Sequence, residues 1–291
     1  MRIGAIDIGS NAMRLLIADA YEEHGQARLK KLSLIRVPVR LGETVFTQGS
    51  IPAYKIKKLA KSIHAFVLLM EVYGVVDYRI CATSAMREAQ NQQEVLEQVK
   101  KLTGCQIEVI DGDEEAQLIH STFETLAFDF SKVYLYIDVG GGSTELSVIK
   151  EGKPIVSQSF KVGTVRSLKK TVHADDVAAM LRFAQEMTAD FGQMQAIGTG
   201  GNINKLVKLG PINNATAMNF SELSRLVGDL SKVGLMERMR VYDLKRDRAD
   251  VIVPAGKIYI DVMKSAGIEE ILIPKLGLSD GIIYNLYQQK R

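Results

Sequence analysis

Residues 135–149 read LYIDVGGGSTELSVI. Two apolar, strand-like runs flank an aspartate, three consecutive glycines, two hydroxyls and a glutamate. Glycine inside a strand costs conformational entropy and packs nothing. Gly140-Gly141-Gly142 therefore reads as a turn whose bare backbone approaches something closely.

An earlier stretch has the same design. IGAIDIGSNAMRLLIAD (3–19) lies over it with Asp7 on Asp138, Gly9 on Gly140 and Leu15 on Leu146, an offset of 138 − 7 = 131 positions. Each copy reads as strand, glycine turn and strand, followed by a third strand-like run at 27–37 or 153–160. After the first triplet the pattern predicts helices near 52–73, 91–103 and 113–127, with strands at 77–83 and 106–110. After the second it predicts helices near 166–172, 174–191, 202–208, 221–233, 253–266 and 280–289, with strands at 194–198 and 270–273. The fold class is therefore α/β: two domains, 1–127 and 128–291, each a mixed sheet flanked by helices. The join is expected within 126–132, and a cleft between the halves is expected to hold the site.

Bulk properties narrow the function. The chain has 291 residues, 46% of them hydrophobic and 24% charged, and no apolar run of membrane-spanning length. The start, MRIGAIDIGSN, enters a strand with no signal-peptide pattern. Cys81 and Cys105 lack metal or redox spacing and read as buried thiols of a reducing cytoplasm. A formal charge of +3 permits an anionic ligand and gives no argument for nucleic acid.

Two more turns join the first pair. CATSAMRE (81–88) ends a strand in Thr83-Ser84 and starts a helix carrying Arg87. AIGTGGNINKL (196–206) runs from a strand through Gly200-Gly201 into a helix, an anion-binding arrangement. Neither is a Walker loop or a Rossmann fingerprint. One glycine turn alone is commonly only a turn; four, each at a strand end, favour phosphate. Asp7 and Asp138 close apolar strands, where an unpaired carboxylate is costly. Glu145 follows across the hairpin. VIDGDEEAQLIHSTF (109–123) adds Asp111, Asp113, Glu114 and Glu115 at a strand-to-helix join. Helix capping accounts for that cluster by itself, and a general base acting on water accounts for it equally.

AIDIGSNAMRLLI, RLGE (40–43), ATSAMREAQN, VIDGDEEAQLI, IDVGGGSTELSVI, KVGTVR (161–166), GTGGNINKL and RADVIVPAG (248–256) occur in the order found in the exopolyphosphatase / guanosine pentaphosphate phosphohydrolase family, which the chain resembles over nearly its whole length. The resemblance implies two ribonuclease-H-like domains of the actin-like ATPase superfamily. It also implies removal of the terminal phosphate from polyphosphate or guanosine pentaphosphate with magnesium, or manganese in its place, by a cytoplasmic homodimer that needs neither nucleic acid nor membrane. Carried over, Glu115 is the catalytic base and Arg87 neutralises phosphate charge. Asp138 and Glu145 bind the metal or orient the water. Asp7, Ser10, Asn11, Gly140, Gly141, Gly142, Ser143, Gly200 and Gly201 grip phosphate. The resemblance is to the short members, without further helical C-terminal domains. The competing functions are an ATP-dependent kinase of the same superfamily and a non-catalytic sensor of polyphosphate or guanosine tetra- and pentaphosphate.

Other features read as bland. The lysines at 55, 57, 58 and 61 suit a solvated helix face. Arg238, Arg240, Lys245, Arg246 and Arg248 read as a loop, with polyanion contact and simple solvation weighted alike. His120 reads as a packed or surface histidine.

Overall fold

In the computed structural model, residues 1–123, 129, 131–210 and 216–290 are described. The chain divides into two compact units, one formed by Met1–Ala127 with Leu278–Arg291 and the other by Phe128–Gly277. The expected join at 127/128 lies outside the described residues.

In the first unit β1 (Arg2–Ile8), β2 (Met13–Glu23) and β3 (Gln26–Val37) form an antiparallel meander, and β4 (Asp77–Ala82) and β5 (Glu108–Val109) add in parallel beyond β1. The sheet order is β3-β2-β1-β4-β5. Its helices are α1 (Gly42–Gln48), α2 (Ala53–Tyr73), α3 (Ser84–Arg87), α4 (Gln92–Thr103) and α5 (Gly112–His120). A core of Ile6, Ile8, Leu15 and Ile17 from the sheet meets Leu59, Ile63 and Phe66 from α2. Gly74, at φ +69°, ends α2 in the left-handed conformation that favours glycine.

In the second unit β6 (Val133–Val139), β7 (Thr144–Lys150) and β8 (Lys153–Phe160) repeat the meander; β9 (Gln195–Thr199) lies parallel to β6, followed by β11 (Glu270–Leu272) and, antiparallel at the edge, β10 (Ala217–Asn219). Its helices are α6 (Thr164–Lys169), α7 (Ala174–Phe191), α8 (Gly201–Leu209), α9 (Phe220–Lys232), α10 (Leu235–Val241), α11 (Arg246–Ala249) and α12 (Ile252–Ser265). The duplication extends to the hairpins. His24-Gly25 joins β2 to β3 and Glu151-Gly152 joins β7 to β8, and all four residues have positive φ. Two-residue hairpins of that kind match the right-handed twist of their strands.

Three expectations need correction. The second domain does not run to residue 291. Helix α13 (Leu278–Gln289) packs on β1, β2, β4 and α5, so it belongs to the first unit. It fits there because Gly281 lies directly against the Leu118 carbonyl of α5, leaving no room for a Cβ. Asp280, also buried, pairs with Lys31 at 2.6 Å. Of the helix expected over 113–127, α5 covers Gly112–His120 and 121–123 lie beyond its end, while 124–127 lie outside the described residues. The arginine-rich stretch is not a loop but α10 and α11: Arg238 of α10 donates to the carbonyls of Leu230 (2.7 Å) and Ala249 (3.2 Å), which ties the short helices together.

Candidate active site

Four residues, Gly140–Ser143, join β6 to β7. Gly140 N–H donates to the Ser143 carbonyl at 2.9 Å, which closes the turn. Behind it, the start of α6 takes up the loop's carbonyls. Thr164 N–H donates to Gly140 O at 3.1 Å and Val165 N–H to Gly141 O at 2.8 Å. Arg166 Nε donates to Gly142 O at 2.6 Å. No cis peptide occurs among the described residues. In a trans peptide the carbonyl of one residue and the N–H of the next point oppositely. The amides of Gly141, Gly142 and Ser143 are thus all turned away from α6, and successive main-chain N–H groups in a turn are the kind of donors that bind anions.

The first unit repeats this. Gly9 N–H donates to Ala12 O at 3.1 Å, Gly42 N–H to Ser10 O at 2.8 Å and Arg40 N–H to Asn11 O at 2.9 Å. The amides of Asn11 and Ala12 are therefore presented on the opposite side. The buried Ser10 hydroxyl meets that of Ser84, the first residue of α3, at 2.8 Å. Both turns lie at the carboxyl ends of parallel strands, where open α/β sheets hold ligands.

The carboxylates distinguish the two copies. Asp7 faces Arg14 across the β1–β2 ladder and pairs with it at 2.6 Å. At the equivalent register Asp138 faces Glu145. Like charges directly opposite in a sheet repel, so the second copy has the acid pair that a cation would relieve. Ser159 Oγ donates to Glu145 Oε1 at 3.0 Å. The third turn lies beside this pair. Gly200, at φ +95°, is the N-cap of α8, and a Cβ there would come within 2.7 Å of Asp138 Oδ1.

Glu114 and Glu115 part company on α5. Asp111 caps the helix by accepting from Glu114 N–H at 2.8 Å. The Glu114 carboxylate pairs with Arg79 at 2.7 Å, and Arg79 also holds Glu108 at 2.6 Å. Glu115, half-buried, follows in the same first turn. Arg87, at the end of α3, donates from Nη1 to the Ile110 carbonyl at 2.6 Å, which ties α3 to the loop that leads into α5. The neighbouring ends of β1, β4 and β5 thus bring together Asp7, Ser10, Asn11, Arg87 and the Glu115 helix.

The family model described as the Ppx/GppA phosphatase family matches residues 16–290. The chain belongs to that family. It is 26% identical to exopolyphosphatase 1 of Mycobacterium tuberculosis, across 97% of this chain and 87% of that one. It is 27% identical to the Mycobacterium leprae protein of the same name, across 97% and 88%. Among solved structures, an exopolyphosphatase from Cytophaga hutchinsonii matches with TM-score 0.85 at 25% identity, covering 99% of this chain and 98% of that one. A Ppx/GppA family member from Aquifex aeolicus shares the fold, with TM-score 0.77 at 23% identity over 100% and 99%.

Several residues of this Ppx/GppA chain escaped the sequence reading. Arg14 was legible through the repeat, since it occupies the position of Glu145 in the other copy. Tyr136 and Tyr259 gave no signal, because a tyrosine within an apolar segment reads as core. Both are fully buried beside Asp138. Burial first, and the Asp138 charge second, push both phenols well above their ordinary pKa.

The bland readings divide. Lys55 is not on a solvated face: it is buried, donates to the Arg40 carbonyl and lies 3.5 Å from Glu43. Burial pulls its pKa down, opposed by Glu43. Lys57, Lys58 and Lys61 are exposed and, with Tyr54, line a groove of about 430 Å³. His120 is buried, its ring 5.3 Å from that of Phe123. Burial lowers its pKa to about 4. Cys81 and Cys105 are buried and not disulfide-bonded, and burial pushes the Cys81 thiol up to about 12. Among the described residues no helix is long and apolar enough to cross a membrane.

Proposed function

We propose that this chain is an exopolyphosphatase, which releases the terminal phosphate of inorganic polyphosphate by attack of water. The observation that carries the reading is the row of amides at Gly141, Gly142 and Ser143, turned away from α6 because that helix engages the carbonyls behind them. Polyphosphate offers only charged oxygens, so fixed N–H donors and cations are what can hold it. The mycobacterial and Cytophaga relatives, named as exopolyphosphatases, support that substrate. Guanosine pentaphosphate, whose end is also a phosphoanhydride, is the second substrate to assay.

Glu115 takes a proton from the attacking water as the new O–P bond forms. The bridging P–O bond of the terminal phosphate breaks, and the electron pair leaves with the shortened chain. In each unit a row of amides, those of Gly141, Gly142 and Ser143 in the second and those of Asn11 and Ala12 in the first, is suited to hold phosphate oxygens. Magnesium fits the acid pair, since it uses one or two carboxylates and leaves its other positions to water and phosphate. That matches Asp138 facing Glu145, and it does not require the three-ligand clusters that are absent among the described residues. When bound, the ion would neutralise charge on the transferring group; manganese has the same preference for oxygen ligands.

A phosphate-release assay on polyphosphate and guanosine pentaphosphate, with and without divalent metal, tests the reading. Release that needs no added acceptor sets aside a kinase. Glu115→Gln is expected to lower kcat at least 10²-fold while polyphosphate still binds. If this variant releases phosphate at the wild-type rate, Glu115 is not the base.

A further inference from the structure

The ladder between β6 and β9 ends at Asp138 and Thr199. At that end the Tyr259 hydroxyl, reaching in from α12, joins the two strands. It accepts from Val139 N–H at 3.3 Å and donates to the Thr199 carbonyl at 2.5 Å. Val139 immediately precedes the Gly140 turn and Thr199 immediately precedes Gly200. One phenol therefore fixes the main chain just ahead of both glycine turns. A second phenol works at the side-chain level. Tyr136 Oη meets Thr199 Oγ1 at 2.6 Å and donates to Asp138 Oδ2 at 3.4 Å. With Thr199 Oγ as donor to Tyr136, the hydroxyls form a chain running from Thr199 through Tyr136 to the Asp138 carboxylate. Tyr136, Thr199 and Tyr259 are all fully buried, so water does not compete for these contacts.

We infer that Tyr136 and Tyr259 are positioning residues, which set the spacing of the Gly140 and Gly200 turns and the orientation of Asp138 between them. They touch neither substrate nor metal; they act through Thr199, Val139 and Asp138. The tolerance at this point is small, because a Cβ on Gly200 would already overlap Asp138. Loss of either phenol oxygen lets the turns drift by fractions of an ångström, which phosphate recognition feels more than folding does. The inference rests on the reading of these turns as phosphate sites.

The test measures binding of inorganic tripolyphosphate by calorimetry, with magnesium present, in a Glu115→Gln background so that the ligand survives. Tyr136→Phe and Tyr259→Phe are compared with Phe183→Leu, a core variant on α7 that removes packing against Phe160 but no hydrogen bond. Thermal midpoints are measured in parallel. Each tyrosine variant is expected to weaken binding about tenfold, a loss larger than Phe183→Leu causes at an equal or larger drop in midpoint. In the Glu115 parent the same substitutions are expected to raise KM more than they lower kcat. Unchanged affinity in Tyr136→Phe overturns the inference for the hydroxyl chain, and a loss no greater than the Phe183→Leu control overturns it for both residues. If the Glu115→Gln chain with both tyrosines intact does not bind tripolyphosphate, the phosphate reading itself fails.

Discussion

Gly163→Ala tests the amide row most directly, because the change lies behind the loop and touches no substrate. A Cβ at this position would come within 2.5 Å of Gly141 O and 2.6 Å of the carbonyl carbons of Gly141 and Gly142. Ordinary contact begins near 3.4 Å, so the loop or α6 must give by about 0.9 Å. The obstruction is backbone on both sides, with no flexible side chain to swing clear. The loop can yield only by moving its amides, and a misplacement near 1 Å costs on the order of 10²-fold in rate. That equals about 2.7 kcal/mol of transition-state stabilisation. Overpacking of this kind also costs about 1–3 kcal/mol of folding stability, so kcat/KM for polyphosphate is measured well below the melting transition. Gly228→Ala is the control. Gly228 lies within α9 with no atom near its would-be Cβ, and the change is expected to stabilise by about 0.5–1 kcal/mol with activity unaltered. A Gly163→Ala protein that melts normally and keeps kcat/KM within twofold would refute the assignment of substrate to this loop.

Arg14→Leu leaves the buried Asp7 carboxylate without its 2.6 Å partner. Because the arginine is partly exposed, about 2 kcal/mol of destabilisation is expected, read from urea midpoints. Gly281→Ala forces a methyl into the Leu118 carbonyl and should cost about 1–3 kcal/mol, with proteolysis starting at α13. His120 has a folded pKa of about 4 against an ordinary 6.5, so the unfolded chain binds the extra proton. Stability is fully present above pH 6.5 and falls as pH drops towards 4, by about 2 kcal/mol between pH 7 and pH 5. His120→Phe should remove that slope, and an identical slope in the variant would show that other groups cause it.

Much of this was legible because duplication doubled the signal. Asp7 and Asp138, with a glycine turn two residues on and a third strand beyond the hairpin, predicted both meanders and the turns at their strand ends. Helices with long apolar stripes, such as α2 and α7, were also readable. Of the short ones, α3 and α6 were expected, whereas α1, α10 and α11 were not. α1 begins at Gly42, whose N–H is held by the Ser10 carbonyl, and α10 buries none of its residues. Tertiary hydrogen bonds, not periodicity, form them. The placement of α13 depended on a single missing side chain at Gly281, which leaves no trace in hydrophobic pattern. In the site, residue types at turns announced themselves, whereas Tyr136 and Tyr259 act through hydroxyls that meet only after folding brings distant segments together.

The return of α13 to the first sheet has a consequence for biosynthesis. The middle of the chain can finish its own core as soon as it leaves the ribosome. The sheet of the first unit must wait, with part of β1, β2 and β4 uncovered, until α13 arrives. A unit begun before its neighbour is thus completed after it, and a nascent chain stalled ahead of α13 would be a target for chaperones.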